Sequence, residues 1–228
     1  MSYSPAGAPP GGGPAIRQLD GLATAVTVLL AVVAGIDLFA VYADLNAYSV
    51  VGNALSVTHQ EVRQADDLYR TSGILQICGT LATAAVFIPW LYRARVNAEA
   101  FSRAVCTMGR GWVIGAWFVP FGNLWLPFRA ACEVWDASAQ SAPDRSWRHV
   151  SRAPVRAWWA TWVTAVVVGR IGATLGGQTT LDALKHSVAT SALADVLNIA
   201  AAVLAIVFVQ KLTRMQRLKT VPGPVAFV

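Results

Sequence analysis

Charged residues are what this chain lacks most. Only 13% of its 228 residues are Asp, Glu, Lys or Arg, whereas 55% are hydrophobic. Because a soluble domain carries roughly 25% charged residues, this composition argues against a soluble domain and favours an integral membrane protein. The net charge of +6 fits basic loops that face anionic lipid, and no interleaving of basic and aromatic residues indicates nucleic acid.

Motifs for catalysis and metal binding are also missing. The three cysteines, Cys78, Cys106 and Cys132, form no CxxC pair, so neither a disulfide framework nor a zinc site is expected. The polar loop residues His59, Glu61, Asp66, Asp67 and His186 match no ligand spacing. The sequence therefore predicts no catalytic residue, no cofactor and no metal.

Four long hydrophobic runs are present instead. They cover residues 22–41, 72–91, 156–175 and 188–209, and a transmembrane helix needs about 20 such residues. The Gly- and Pro-rich residues 1–20 cannot bury a core, so they are predicted to be a disordered tail. The predicted fold class is all-α, with one membrane domain over residues 21–219 that contains four transmembrane helices, followed by a C-terminal tail at 220–228.

A further apolar stretch, residues 111–136, is interrupted in its middle by Pro120, Gly122, Asn123 and Pro127. The segments 92–111 and 137–156 that flank it hold four Arg each, and the C-terminal tail holds four Lys or Arg. The positive-inside rule places all three, with both chain termini, in the cytoplasm. The stretch must then enter and leave on one side, which predicts a cytoplasmic re-entrant or interfacial helical hairpin that turns near residues 120–123 and is covered by the spans.

The nine tryptophans all lie toward this predicted inner side. An indole prefers the headgroup region of a membrane. We therefore expect an interfacial aromatic belt to contain most of them.

Polar residues within the spans form the first candidate site. Asp37, Gln76, Arg170 and Asp195 fall at similar depths near the outer ends, and Asn198 lies one helical turn from Asp195. Because an unpaired charge in a span is costly, we expect Arg170 to pair with Asp195, Asp37 or both. This layer is either a proton or substrate site or a structural ion pair that orders the bundle.

A second polar motif follows the second span. Residues 91–99 read LYRARVNAE, and GRGW at 109–112, WFVP at 117–120 and NLW at 123–125 come next. With Pro127, Trp135-Asp136 and Ala157-Trp158-Trp159, this pattern resembles the domain of unknown function 4328, a family of bacterial membrane proteins. The resemblance implies a shared multi-span architecture in a bacterial cytoplasmic membrane, and it transfers no reaction or ligand.

The resemblance marks an inner-face motif as the second candidate site. Its members are Arg93, Arg95, Asn97, Arg110, Trp112, Trp117, Pro120, Asn123 and Pro127. The alternative is that the three arginines anchor the inner leaflet and that Asn123 satisfies the backbone of the turn.

Three functions stay open from the sequence. The leading interpretation is a non-catalytic accessory or interaction module that contacts anionic inner-leaflet lipid or a membrane protein partner. The second is a small transporter or channel subunit that uses the polar layer, since broken helices line substrate sites in transporters. The third is an intramembrane enzyme acting on a lipid, for which the sequence offers no nucleophile or metal ligand.

Overall fold

The computed structural model describes residues 16–53, 56–139, 150–177 and 180–220, and every regular element within them is a helix. This confirms the predicted all-α class. The helices are α1 (Asp20–Gly52), α2 (His59–Phe101), the short α3 (Trp112–Gly115), α4 (Leu126–Ser138), α5 (Ala153–Gly176) and α6 (Leu181–Thr220), with a 3-10 turn at Gly122–Leu124. The predictions for residues 1–15, 140–149 and 221–228 lie outside the described residues.

Three of the described helices, α1, α2 and α6, are long and apolar enough to cross a membrane. Each contains one of the predicted apolar runs. The fourth run lies in α5, which has 24 residues, but three tryptophans and the charged Arg170 lower its mean hydropathy. Three membrane-compatible helices are thus established, and the crossing by α5 stays a prediction.

The helix α2 begins well before its apolar run, at a polar cap. At the start of α2, the Thr58 hydroxyl accepts the Glu61 N–H at 3.3 Å, and the Glu61 carboxylate accepts the Thr58 N–H at 2.7 Å. This capping box satisfies two helix-end donors. The predicted tail of residues 1–20 ends earlier than expected, because Leu19 is buried and the Arg17 backbone is bonded to Asn97.

The helices alternate in direction. α1 and α2 pack together across a short connection, as do α5 and α6, so each pair is antiparallel. Gln76 contacts Asp195 and Asn97 contacts Gln216, so α2 and α6 are parallel. The basic end is the end at which α1 and α5 begin and α2 and α6 finish, and the acidic end is the opposite one.

Small residues allow α5 to approach α6 closely. A Cβ at Gly172 would lie 3.3 Å from the Ser187 carbonyl oxygen, and a Cβ at Gly176 would lie 2.9 Å from the Ser187 hydroxyl. That hydroxyl donates to the Gly172 carbonyl at 2.8 Å. The two helix backbones therefore pack directly against each other at this point.

Aromatic rings fill the bundle toward the basic end. Phe208 stacks on Trp158 with ring centroids 5.0 Å apart and meets the edge of Trp90 at 5.7 Å. Four tryptophans are buried, namely Trp90, Trp135, Trp158 and Trp159. The expected interfacial belt was for most of the nine, and these four are core residues instead, because their rings pack against other aromatic side chains inside the bundle.

Candidate functional site

The first candidate site lies at the acidic end and consists of buried carboxyl groups held by one amide. Gln76 Nε2 donates to Asp37 Oδ1 at 3.0 Å and to Asp195 Oδ1 at 2.8 Å. Asp44, which follows Asp37 by seven residues in α1, is 2% exposed. One oxygen of Asp37 and one of Asp44 are buried without a hydrogen-bond partner. These four residues, Asp37, Asp44, Gln76 and Asp195, are the carboxyl cluster.

Arg170 does not belong to this cluster. Its side chain is exposed, and no ion pair between described residues involves it. The predicted pairing of Arg170 with Asp195 or Asp37 is wrong, since Gln76 bonds both carboxyl groups. The neighbouring Gly169 packs toward Ala194 of α6, so the next side chain points elsewhere.

Asn198, the remaining member of the predicted layer, is half-buried. The hydrogen bonds of the carboxyl cluster do not include it. The structure therefore brings Asp37, Gln76 and Asp195 together and leaves Arg170 and Asn198 outside.

At the basic end, Asn97 and Gln216 are central to a buried hydrogen-bond network. The Asn97 side chain accepts the Arg17 N–H at 2.9 Å and donates to the Arg17 carbonyl at 2.9 Å and to Gln216 Oε1 at 3.1 Å. Gln216 Nε2 donates to the Ala94 carbonyl at 2.9 Å and to the Ser138 hydroxyl at 2.8 Å. The network joins the chain before α1 to α2, α4 and α6, so Asn97 has a structural role.

Arg95 is buried rather than placed at a lipid surface. Its side chain is 1% exposed, forms ion pairs with Glu99 and Glu133 at 3.5 Å each, and donates to the Met108 carbonyl. Glu133 also accepts from the Thr107 hydroxyl at 2.5 Å and from the Met108 N–H at 3.0 Å. The expectation that Arg95 anchors the inner leaflet is wrong, because its guanidinium is buried and pairs with two carboxylates. Through these contacts Arg95 links the loop after α2 to α4.

The other motif arginines lie at the surface. Arg93 is exposed, and Arg110 is 54% exposed while its Nε donates to Glu99 at 2.5 Å. Exposed cations are frequent at this end: Arg93, Arg103, Arg110, Arg129, Arg156, Lys211 and Arg214. The acidic partners nearby are largely covered, with Glu99 16% and Glu133 12% exposed. The accessible charge of the basic end is therefore mainly positive.

The broken segment turns at Phe121, whose φ of 59° is the one positive value at a non-glycine position among the described residues. The Gly122 N–H donates to the Pro120 carbonyl at 2.6 Å, and the Asn123 N–H donates to the Val119 carbonyl at 2.9 Å. Backbone bonds thus satisfy the turn, and the role expected for the Asn123 side chain is not found.

Residues around the turn divide between core and surface. Trp117 packs against Phe87 and Trp159 with ring centroids 5.9 and 6.0 Å apart, and the Trp159 indole donates to the Leu124 carbonyl at 2.9 Å. Pro127 is buried in the first turn of α4, where a proline is tolerated. Pro120 and Trp112 are exposed, as are Phe118 at 74%, Phe121 at 79% and Trp125 at 56%. Phe118, Phe121 and Trp125 form an outward-facing apolar hairpin tip.

Titratable groups near the basic end show no activated nucleophile. Burial raises the pKa of the Cys106 thiol, and the Arg95 guanidinium acts in the opposite direction. Burial raises the pKa of Cys132 to about 11. The hydrogen bond from Arg152 to Asp136, at 3.1 Å from Nε, raises the pKa of that guanidinium. Thiols with raised pKa values are poor nucleophiles at neutral pH, so neither cysteine is assigned a catalytic role.

The two polar layers are far apart along the bundle. Gln76 and Asn97 are 21 residues apart in α2, and Asp195 and Gln216 are 21 residues apart in α6. Both separations correspond to about 31 Å at ~1.5 Å per residue, close to the roughly 30 Å of a bilayer's hydrocarbon core. Residues 77–92 and 196–210 between them contain no charge.

A cavity of about 630 Å³ lies at the acidic end, between the end of α1 and the start of α2. Its lining consists of Tyr42, Asn46, Ser49, Val50, Asn53, Val57, Glu61, Gln64, Asp67, Leu68 and Thr71. Across the part of the chain that the structure describes, no group of three or more His, Cys, Asp or Glu side chains is arranged to hold a metal ion.

The sequence reasoning missed several residues of these sites. Asp44 follows Asp37 by seven residues and Glu99 follows Arg95 by four, so helical spacing was a usable signal for both. Glu133 and Gln216 are distant in the chain from the residues that they contact, and no local pattern indicates them.

Comparison with protein families gives one match. Residues 53–214 match the model described as Domain of unknown function (DUF4328). The comparisons with curated proteins and with solved structures found no match. The matched region covers α2 to α6 almost completely, including the carboxyl-cluster residues Gln76 and Asp195 and the whole inner-face motif. The chain therefore belongs to the DUF4328 family.

Proposed function

We propose that this protein is an integral membrane module that contacts lipid through a re-entrant hairpin and through its basic end. In this proposal, α1, α2, α5 and α6 cross a bacterial cytoplasmic membrane, and the basic end with both chain termini faces the cytoplasm. The role is non-catalytic and serves the surrounding lipid or a membrane partner.

The packing of residues 117–138 against α2 and α6 is the observation that carries the proposal. Trp117 packs against Phe87, which precedes Asn97 by ten residues in α2, a distance of about 15 Å along the helix. α4 returns from the turn to Ser138, which is bonded to Gln216 in the basic-end layer. Its 13 residues extend about 20 Å. Both legs thus support a tip that reaches about half-way into the hydrocarbon core.

The composition of the tip fits lipid contact. Phe118, Phe121 and Trp125 point away from the bundle, and exposed aromatic surface of this kind is typical of groups that insert into a membrane. The inner face of the hairpin is covered by Phe87 and Trp159, as irregular backbone at membrane depth requires.

The charge of the basic end supports contact with anionic headgroups. Arg93 and Arg103 near the end of α2, and Lys211 and Arg214 near the end of α6, are exposed there. Cations close to a membrane surface gain about 1 kcal/mol each from anionic lipid. We therefore expect the protein to retain anionic lipid in preference to zwitterionic lipid.

Spin labels test the depth of the hairpin. In a background without the native cysteines, labels are placed at Phe121, at Leu81 in the middle of α2, and at Ala104 in the loop after α2. We expect the label at Phe121 to match Leu81 in high oxygen and low aqueous-reagent accessibility. Accessibility equal to that at Ala104 would place the tip at the interface and refute the re-entrant arrangement.

Native mass spectrometry tests the lipid preference. Protein released from nanodiscs of equal anionic and zwitterionic content is expected to carry mainly anionic lipid. The double variant Arg93→Gln, Arg214→Gln is expected to lose this preference, while Arg63→Gln, Arg70→Gln at the acidic end retains it. An unchanged lipid ratio in the first variant would count against a lipid-binding role for the basic end.

A second candidate function, as a small transporter or channel subunit, is favoured by the carboxyl cluster. Three acidic side chains are buried between apolar helices, and such residues often mark ion pathways. Purified protein in liposomes is expected to show a flux of protons or cations that Asp195→Asn abolishes. Absence of flux for the wild-type protein would remove this candidate.

A further inference from the structure

The carboxyl cluster combines three acids with no base. α1 contributes Asp37 and Asp44, α6 contributes Asp195, and α2 contributes the neutral Gln76. No ion pair between described residues involves any of the three aspartates. The basic residue of α5 at this level, Arg170, is exposed. Among residues 16–53, 56–139, 150–177 and 180–220, no cation therefore compensates the charge of the cluster.

Because the three aspartates are buried, their uncompensated negative charge is energetically unfavourable. Asp37 is 3% exposed, Asp44 2% and Asp195 9%. Two like charges at hydrogen-bonding range in a medium of low dielectric cannot both persist, because desolvation and mutual repulsion each disfavour the charged form. Asp37 and Asp195 accept from the same amide nitrogen of Gln76, at 3.0 and 2.8 Å, so a proton on one of them relieves this repulsion.

Unpartnered oxygens indicate that the cluster has room for more protons. One oxygen of Asp37 and one of Asp44 are buried without a hydrogen-bond donor. Gln76 has already used its amide on Asp37 and Asp195. The hydroxyl of the nearby buried Ser72 donates to the Tyr69 carbonyl at 2.8 Å, so it does not supply the missing donor.

We propose that the carboxyl cluster is a proton-binding site, in which Asp37 and Asp195, bridged by Gln76, share one proton and Asp44 is a further acceptor. The proton comes from hydronium, which becomes water as a carboxylate becomes a carboxylic acid. The site lies at the acidic end, and the cavity between α1 and α2 lies at the same end of the bundle. This role goes beyond lipid contact and does not depend on it.

A proton fits the cluster better than a metal ion. The described residues contain no group of three carboxylate, imidazole or thiolate side chains arranged for a metal, and a hard cation needs several oxygens converging at short range. The amide N–H groups of Gln76, which point at two of the carboxyl groups, would also repel a cation placed between them.

Infrared spectroscopy of the full chain in nanodiscs tests the proposal. At neutral pH the wild-type protein is expected to show a protonated-carboxyl C=O band that shifts in D₂O. Asp37→Asn and Asp195→Asn are each expected to lose the component that arises from the shared proton. Asp66→Asn, an exposed site on α2, is the matched control and is expected to keep the wild-type band.

Thermal unfolding of the same variants shows whether the loss of the band reflects a missing proton or an unfolded protein. Asparagine has the shape of a neutral carboxyl group, so Asp37→Asn is expected to unfold at the wild-type temperature or above. No protonated-carboxyl band in the wild-type protein at neutral pH would overturn the proposal. A band that disappears on adding sodium or potassium would also overturn it, because a cation would then be the neutralising ligand.

Discussion

Removal of the Glu133 charge is expected to destabilise the basic end strongly. Glu133→Gln keeps the size of the side chain but leaves Arg95, 1% exposed, with one carboxylate partner instead of two. Removing one member of a buried ion pair costs about 3–5 kcal/mol. Glu99 remains 3.5 Å from Arg95 and is shared with Arg110, so we expect the lower value, about 3 kcal/mol. This corresponds to a more than 100-fold loss in the folding equilibrium.

Reversible unfolding in mixed micelles measures this change in the free energy of unfolding. Asp66→Asn, which removes an exposed charge from α2, is the control and is expected to lie within about 0.5 kcal/mol of wild type. The double variant Arg95→Met, Glu133→Leu is expected to recover most of the loss, because it leaves no buried charge unpaired. A Glu133→Gln protein as stable as the control would refute the assignment of Arg95 and Glu133 as a buried pair.

Three further predictions concern separate parts of the fold. Burial raises the pKa of Cys132 to about 11. The rate at which iodoacetamide alkylates this thiol, measured by mass spectrometry, is therefore expected to rise about tenfold per pH unit below that pKa. A rate independent of pH would contradict the burial. Gly172→Val is expected to lower the free energy of unfolding by about 1–3 kcal/mol through overpacking, whereas Gly35→Ala, whose Cβ would meet nothing within 4 Å, is expected to be neutral or stabilising by up to about 1 kcal/mol; equal effects in thermal unfolding would contradict the close packing of α5 on α6. Asn97→Ala removes the hydrogen bonds that hold the Arg17 backbone, so trypsin is expected to cleave after Arg17 several times faster, and an unchanged cleavage rate would count against that contact.

Composition and hydrophobic runs were sufficient to predict the helical class. Each of the four runs lies within a long helix, since a continuous apolar segment of this length satisfies its own backbone only as a helix. The helix ends were harder to predict. Both α1 and α2 continue well past their apolar runs. The start of α2 is set by the hydrogen bonds of its Thr58 cap, and hydropathy values do not reveal such hydrogen bonds.

The polar contacts were predictable only where both partners lie on one helix or at one depth. The predicted depth of each residue in its span was enough to place Asp37, Gln76 and Asp195 in one layer, as the structure has them. Arg170 lies at the same predicted depth, but its direction depends on how α5 is rotated about its axis. The small residues that face α6 set this rotation, and depth in the span does not predict it. Residue type and position do not distinguish the core tryptophans from those of a belt, and the burial of Trp90 and Trp158 follows from ring packing with Phe208.

In the proposed membrane arrangement, the separation between the carboxyl cluster and the Asn97–Gln216 network would make the protein sensitive to membrane thickness. Both layers join the same helices, so α1, α2 and α6 cannot adjust their apolar lengths independently of one another. In a thicker bilayer the whole unit would have to remain upright and compress the lipid around it, and in a thinner one it would tilt as a unit. Each ångström of mismatch costs a fraction of a kcal/mol, so the protein is expected to concentrate in membrane regions whose hydrocarbon thickness matches the spacing of its two polar layers.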